Sequence, residues 1–188
     1  MSPHLVFGEK HWSRRSLMSL LAGAAASTSA VLMSSEVRAQ AGTWREYRND
    51  ELGFRVEFPV EPKIELEEAE RGDVWIRSAD AHVDVDQMTL GASSTEFRSA
   101  ISAEDDDKLH RAGMNAGGMP VTREEAQIVS GVAARDFIRE SDDLNYIHRR
   151  VVVGTKAFTA SAIGDRSIHG HPTVRRFLDS LALLRGGR

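Results

Sequence analysis

Three groups of side chains in this sequence have the types and spacing that chemistry requires. His82, Asp84 and Asp86 alternate with Val83 and Val85, and residues two apart on a strand share a face. An imidazole and two carboxylates would then stand together as ligands for a divalent cation. A solvated sheet face carries the same alternation without any ligand. His169-Gly170-His171 brings two imidazoles close together ahead of a helix and needs one more ligand from elsewhere to complete a metal site. Tyr146, His148 and Arg150 line one side of a strand whose other side carries Ile147, Arg149 and Val151. A ring, a titratable imidazole and a guanidinium on one face suit a small anionic ligand, and pairing with acids across the sheet is the structural alternative.

Other chemistries are excluded or unsupported. The chain contains no cysteine, which removes disulfides, thiolate metal sites, a cysteine nucleophile and a lipid-modified cysteine. There is no Gly-x-Ser-x-Gly elbow, phosphate loop or dinucleotide fingerprint, and the glycines between Gly113 and Gly118 fit none of them. No cofactor is expected. The 24 basic and 28 acidic residues give a net charge of −4. Without Lys10, Arg14, Arg15, Arg38, Glu9 and Glu36 the remainder holds 20 basic and 26 acidic residues, a net charge of −6. Nucleic-acid binding needs clustered cations, so this balance argues against it.

Those six charges belong to a leader. Ser13-Arg14-Arg15-Ser16-Leu17-Met18 resembles a twin-arginine export motif, with Leu17 in place of the usual Phe and Ser19 in place of a frequent Lys. Residues 17–26 are a modest apolar run diluted by Ala, Gly and Ser, and Val37-Arg38-Ala39 offers the small residues that a signal peptidase reads. Residues 1–39 are therefore read as a signal peptide cleaved after Ala39, with residues 40–43 as a linker. An uncleaved anchor over residues 17–33 is the competing reading, against which Ser27, Thr28 and Ser29 interrupt the run. A plain Sec signal competes too, and the paired arginines weigh against it. The implied partners are the twin-arginine translocase and signal peptidase during export. The implied location is periplasmic, with no stable membrane span after cleavage.

The elements that must position the candidate residues follow from periodicity. Residues 44–47 read as a short strand before a turn at Asn49 to Gly53, and Phe54-Arg55-Val56-Glu57-Phe58 alternates strictly, closed by Pro59 and Pro62. Ile64-Glu65-Leu66-Glu67 and Val74-Trp75-Ile76-Arg77 flank a hairpin turn at Glu70-Arg71-Gly72-Asp73, and residues 83–90 continue the meander. Ser93-Ser94-Thr95-Glu96 has capping-box spacing and predicts a helix start, with Phe97, Ala100 and Ile101 on one face. A second start at Ser102 places Asp105, Asp106 and Asp107 near a positive helix end and leads to Leu109 and Ala112, closed by Gly113, Gly117 and Gly118. Strand signal returns from Val121 through a turn at Ser130-Gly131, and a long hairpin turns at Gly154, its Val151-Val152-Val153 run suggesting a central strand. Pro172 opens a last helix with Val174, Phe177, Leu178 and Leu181 on one face, and residues 185–188 form a tail. Runs of strands with two helical insertions indicate an antiparallel α+β domain over residues 44–184.

Gly53-Phe54-Arg55-Val56-Glu57-Phe58-Pro59, the hairpin through Gly154 and Arg176-Phe177-Leu178-Asp179-Ser180-Leu181 together resemble PsbP-like and DcrB-like extracytoplasmic domains. The resemblance implies a seven-stranded or similar antiparallel sheet sandwiched by helices, and an accessory or exported role without a catalytic motif. A non-catalytic binding or accessory protein of the cell envelope, acting on an envelope protein or small ligand, is the favoured expectation. A metal-dependent enzyme centred on His82, Asp84 and Asp86 is the rival, and a small-anion sensor using His148 and Arg150 the third reading. The leader makes the first testable statement. The exported protein should begin at Gln40, and replacing Arg14 and Arg15 by lysine should abolish export. N-terminal sequencing of the exported form and fractionation of the double variant check both.

Overall fold

The computed structural model describes residues 44–71 and 74–184, which belong to one compact unit, Ala39–Arg188. The leader with Arg14, Arg15 and Ala39, the linker 40–43, the turn residues 72–73 and the tail 185–188 lie outside the described residues. Among the described residues ten strands and two α-helices follow in the order β1 (Arg45–Asn49), β2 (Phe54–Phe58), β3 (Lys63–Arg71), β4 (Val74–Val85), β5 (Met88–Phe97), α1 (Ala103–Ala116), β6 (Arg123–Val129), β7 (Val132–Arg139), β8 (Asn145–Val153), β9 (Lys156–Gly164), α2 (Pro172–Ser180) and β10 (Ala182–Leu183). A 3-10 turn, Arg166–Gly170, precedes α2. No described helix is long and apolar enough to cross a membrane.

Two antiparallel meanders build the main sheet, in the order β3-β4-β5-β9-β8-β7-β6. They join where β5 pairs β9, with Ala92 opposite Ala160 and Ser94 opposite Phe158. The chain leaves β5 near the middle of the sheet and must reach β6 at the far edge, four strand spacings or about 19 Å away. The 14 residues of α1 span about 21 Å at 1.5 Å per residue, so this helix is the crossover and lies on one face. The other face is packed by α2 and by a small sheet ordered β1-β2-β10. The domain is thus a mixed α and β fold with antiparallel sheets, as the runs of strands indicate.

The core lies between the main sheet, β2 and α2. Phe54, Val56 and Phe58 are fully buried, as their alternation requires, and meet Ala79, Ala81, Leu90, Ala92, Phe158, Ala160 and Ala162 from the main sheet. Small side chains on β4, β5 and β9 leave room for aromatic rings from the opposing layer. Phe58 packs on Phe177 with ring centroids 5.1 Å apart, and Phe54 on Phe158 at 5.9 Å. Val174, Phe177, Leu178 and Leu181 are all buried. Pro172 stands in the first turn of α2, as its fixed φ favours. The arginine side of α2 is also used: Arg176 pairs with Glu57 at 2.9 Å and lies 4.1 Å over the Trp44 ring.

Two local readings are corrected. The Ser93-x-x-Glu96 spacing does not start a helix, because β5 runs on to Phe97 and pairs with β9, burying Ser94 completely. Nonlocal pairing outweighs a local capping signal here. Helix α1 starts instead at the second signal, where the Ser102 hydroxyl accepts from the Asp105 amide at 3.1 Å, and it continues through Gly113 to end at Gly117. The strand alternation read through His82, Asp84 and Asp86 also stops short, at Val85. Asp86 and Gln87 adopt φ of 48° and 63° and turn the chain tightly between Val85 and Met88. Hairpin turns of this kind usually carry glycine or asparagine, so the turn left little trace in the sequence. The Ser130-Gly131 turn, with φ of 51° and 82°, has the expected composition.

The terminal helix provides a stability test. Phe177→Ala removes a fully buried ring and should cost about 3–5 kcal/mol. Chemical denaturation of wild type and variant should show that loss as a lower midpoint.

Candidate functional site

Strand β8 ties both helices to the sheet because its successive residues alternate between two faces. On one face Arg149 donates to both carboxylate oxygens of Asp136 at 2.9 and 3.0 Å and to Asp179 of α2 at 2.8 Å. On the other face Arg150 donates to both oxygens of Asp106 of α1 at 2.5 and 2.7 Å, and to the Thr159 hydroxyl at 2.8 Å. Such fork-to-fork pairs fix orientation as well as charge. Asp106 is 1% exposed and cross-strand Asp136 is 3% exposed, so neither carboxylate has water to fall back on.

The face that carries Tyr146, His148 and Arg150 is therefore closed by α1. The Arg150 guanidinium, read as a contact for a small anion, holds the Asp106 carboxylate and the Thr159 hydroxyl. Tyr146 donates its hydroxyl to the Met119 carbonyl at 2.9 Å, tying β8 to the segment after α1, and burial raises its pKa to about 12. His148 stacks on Tyr146 with centroids 4.6 Å apart and faces His110 of α1 at 5.5 Å, and His110 in turn lies 4.7 Å from Phe137. Both ring nitrogens of His148 and Nε2 of His110 are shielded and make no hydrogen bond. Burial pushes both imidazoles down to about 3, helped by Arg150 for each, by Arg111 for His110 and by His110 for His148.

A charged girdle surrounds this pair. Glu124 of β6 accepts from Arg111 of α1 at 2.6 and 2.9 Å and from Arg135 of β7 at 2.8 Å, and these two guanidinium groups hold its pKa down to about 2. Arg135 also meets Asp107 of α1 at 3.2 Å. These polar contacts hold helix α1 together with the packing of His110 and Arg111 on the Phe137 ring. Only Asp106 and Met114 of its residues are buried, and Leu109 is 59% exposed.

The metal constellations are not assembled. The Asp86 turn breaks the alternation that would have aligned it with His82 and Asp84, and Asp84 accepts from the Thr89 hydroxyl at 2.7 Å. His169 and His171 do not converge either. His169 Nε2 is 3.2 Å from the Asn145 side-chain oxygen, and His171 Nδ1 caps α2 by accepting from the Thr173 amide at 3.3 Å. Among the described residues no group of three or more His, Asp or Glu side chains is placed to hold a metal ion.

Sequence reasoning missed His110, Asp106 and Thr159 as members of the β8 cluster. A signal for two of them existed: Asp106, His110 and Met114 recur every four residues and so form one stripe of α1. In comparisons with known proteins, no family model matches the chain and no curated protein matches it.

The buried pair makes a sharp prediction. Asp106→Ala leaves the Arg150 charge between α1 and the sheet without its carboxylate, with only the neutral Thr159 hydroxyl beside it, and should destabilise by about 3–5 kcal/mol. Asp179→Ala removes a half-exposed partner, since the Asp179 side chain is 56% exposed, and should cost about 1 kcal/mol or less. Denaturation midpoints of the two variants compare them directly.

Proposed function

We propose that this chain is an exported, periplasmic, non-catalytic binding or accessory domain of the PsbP-like and DcrB-like type. The observation that carries the reading is the commitment of the chemically capable side chains to architecture. Arg149 and Arg150 hold α2 and α1, His171 caps a helix, and Asp84 accepts from Thr89 beside a turn. The seven-stranded antiparallel sheet, with α1 on one face and α2 on the other, supports the family reading. The paired arginines of the leader support export.

The surface best suited to a partner is the part of the α1-side face formed by β4, β5 and β9. His82, Ser93, Thr95 and Ser161 point there by register and are half-buried. With Gly91 among them, these small side chains keep the backbone close to the surface and offer hydroxyl and imidazole groups for hydrogen bonding. Helix α1 makes its main sheet contacts on β8 instead. A photocrosslinking side chain at Thr95 should capture one discrete envelope partner in intact cells, and the same group at exposed Lys108 of α1 should not. Equal labelling from both positions, or none from Thr95, rejects this surface. Stoichiometric turnover of a substrate by the purified protein would reject the non-catalytic reading.

A further inference from the structure

We propose that His110 and His148 form an acid-released latch that holds α1 on the sheet at neutral pH and frees it, ahead of the rest of the domain, as the surroundings acidify. Two imidazoles face each other at 5.5 Å across the helix–sheet boundary, and three of their nitrogens are buried without a partner. A neutral imidazole tolerates that site at the cost of its missing hydrogen bonds. An imidazolium has nothing there to neutralise it, because the carboxylates around the pair are already matched.

The surrounding charges come from every element packed on the pair. Helix α1 supplies Asp106, Asp107 and Arg111; β6 supplies Glu124; β7 supplies Arg135 and Arg139; β8 supplies Tyr146 and Arg150. Asp106 is held by Arg150, and Glu124 by Arg111 and Arg135. Asp107 lies beside Arg135 and Arg111, and burial raises its pKa. Arg139 turns to Asp143 and the Gly118 carbonyl. Thr159 and Ser161 of β9, on the same face, are neutral. A proton arriving on either ring therefore adds an uncompensated positive charge next to Arg150.

The helix is the part that yields. Helix α2 buries Val174, Phe177 and Leu178, whereas α1 buries Met114 and the paired Asp106. Opening α1 exposes both imidazoles to water and gives up the contacts around Met114, Phe137 and Tyr146, which lie outside the main apolar core that α2 completes. Both histidines sit at about 3 when closed and return to 6.5 when open, so the open state binds more protons and stability falls as pH drops below 6.5. Between about pH 7.5 and about pH 5, one released imidazole favours opening by about thirtyfold and two by nearly a thousandfold.

Hydrogen exchange of the full mature domain, corrected for the intrinsic pH dependence of exchange, tests this. Protection of residues 103–116 should fall by about thirtyfold or more over that pH interval, while α2 keeps its protection. The His110→Phe/His148→Phe double variant should lose this difference. PH-independent protection of α1, equal loss in α2, or a persistent loss in the double variant each overturns the latch. If the double variant does not fold, ring-carbon NMR of the wild type decides. Both buried imidazoles should stay neutral for as long as α1 remains closed, and a midpoint near 6.5 with α1 still docked overturns the proposal.

Discussion

The architecture depends on two consecutive arginines that a β-strand turns to opposite sides. Strand periodicity sends Arg149 to the face covered by α2 and Arg150 to the face covered by α1, and each meets a carboxylate that is almost wholly buried. A buried ion pair is a weak source of net stability, because desolvation offsets most of the attraction. Its effect is on specificity: a helix displaced by one residue would strand a guanidinium or a carboxylate without a partner. On the α2 side that constraint adds to a large apolar core. On the α1 side the apolar contact is smaller, gathered around Met114, Phe137 and Tyr146, and the ion pair and the stacked rings decide where the helix sits.

This asymmetry links fold and function. The face between the main sheet, β2 and α2 is aromatic and fully packed, with Phe54, Phe58, Phe158 and Phe177 at its centre. The opposite face sets hydroxyls, imidazoles and ion pairs around the buried Phe137 and Tyr146 rings. Polar packing of that kind is more easily rearranged, since each contact has a competitor in water or in a proton. The rigid side thus makes a platform, and the side with α1 and the open part of β4, β5 and β9 carries the proposed partner surface and the proposed latch.

The candidate sites illustrate why residue type and spacing are poor guides to chemistry. His82, Asp84 and Asp86 have the spacing of ligands on a strand, yet the chain turns at Asp86. His169 and His171 are close in sequence, yet one lies against Asn145 and the other caps α2. Tyr146, His148 and Arg150 do share a face, as alternation demands, but the groups they meet come from α1 and β9. For His169, His148 and Arg150 the decisive partners are distant in sequence.

What the sequence determined by itself is what a local pattern can encode. Alternation placed Phe54, Val56 and Phe58 inward, the three- and four-residue spacing of Val174, Phe177, Leu178 and Leu181 defined the buried stripe of α2, and Ser102 marked the start of α1. These features are legible because backbone geometry repeats with a fixed period. Only the tertiary structure decided that Ser93 to Glu96 continue a strand, that a glycine-free pair closes the β4–β5 hairpin, and that Arg150 belongs to Asp106 and His148 to His110. Those outcomes depend on which segments meet across the sheet. A buried charge or an unpaired strand edge is satisfied by whichever group the whole fold brings to it, and that identity is not written in the neighbouring residues.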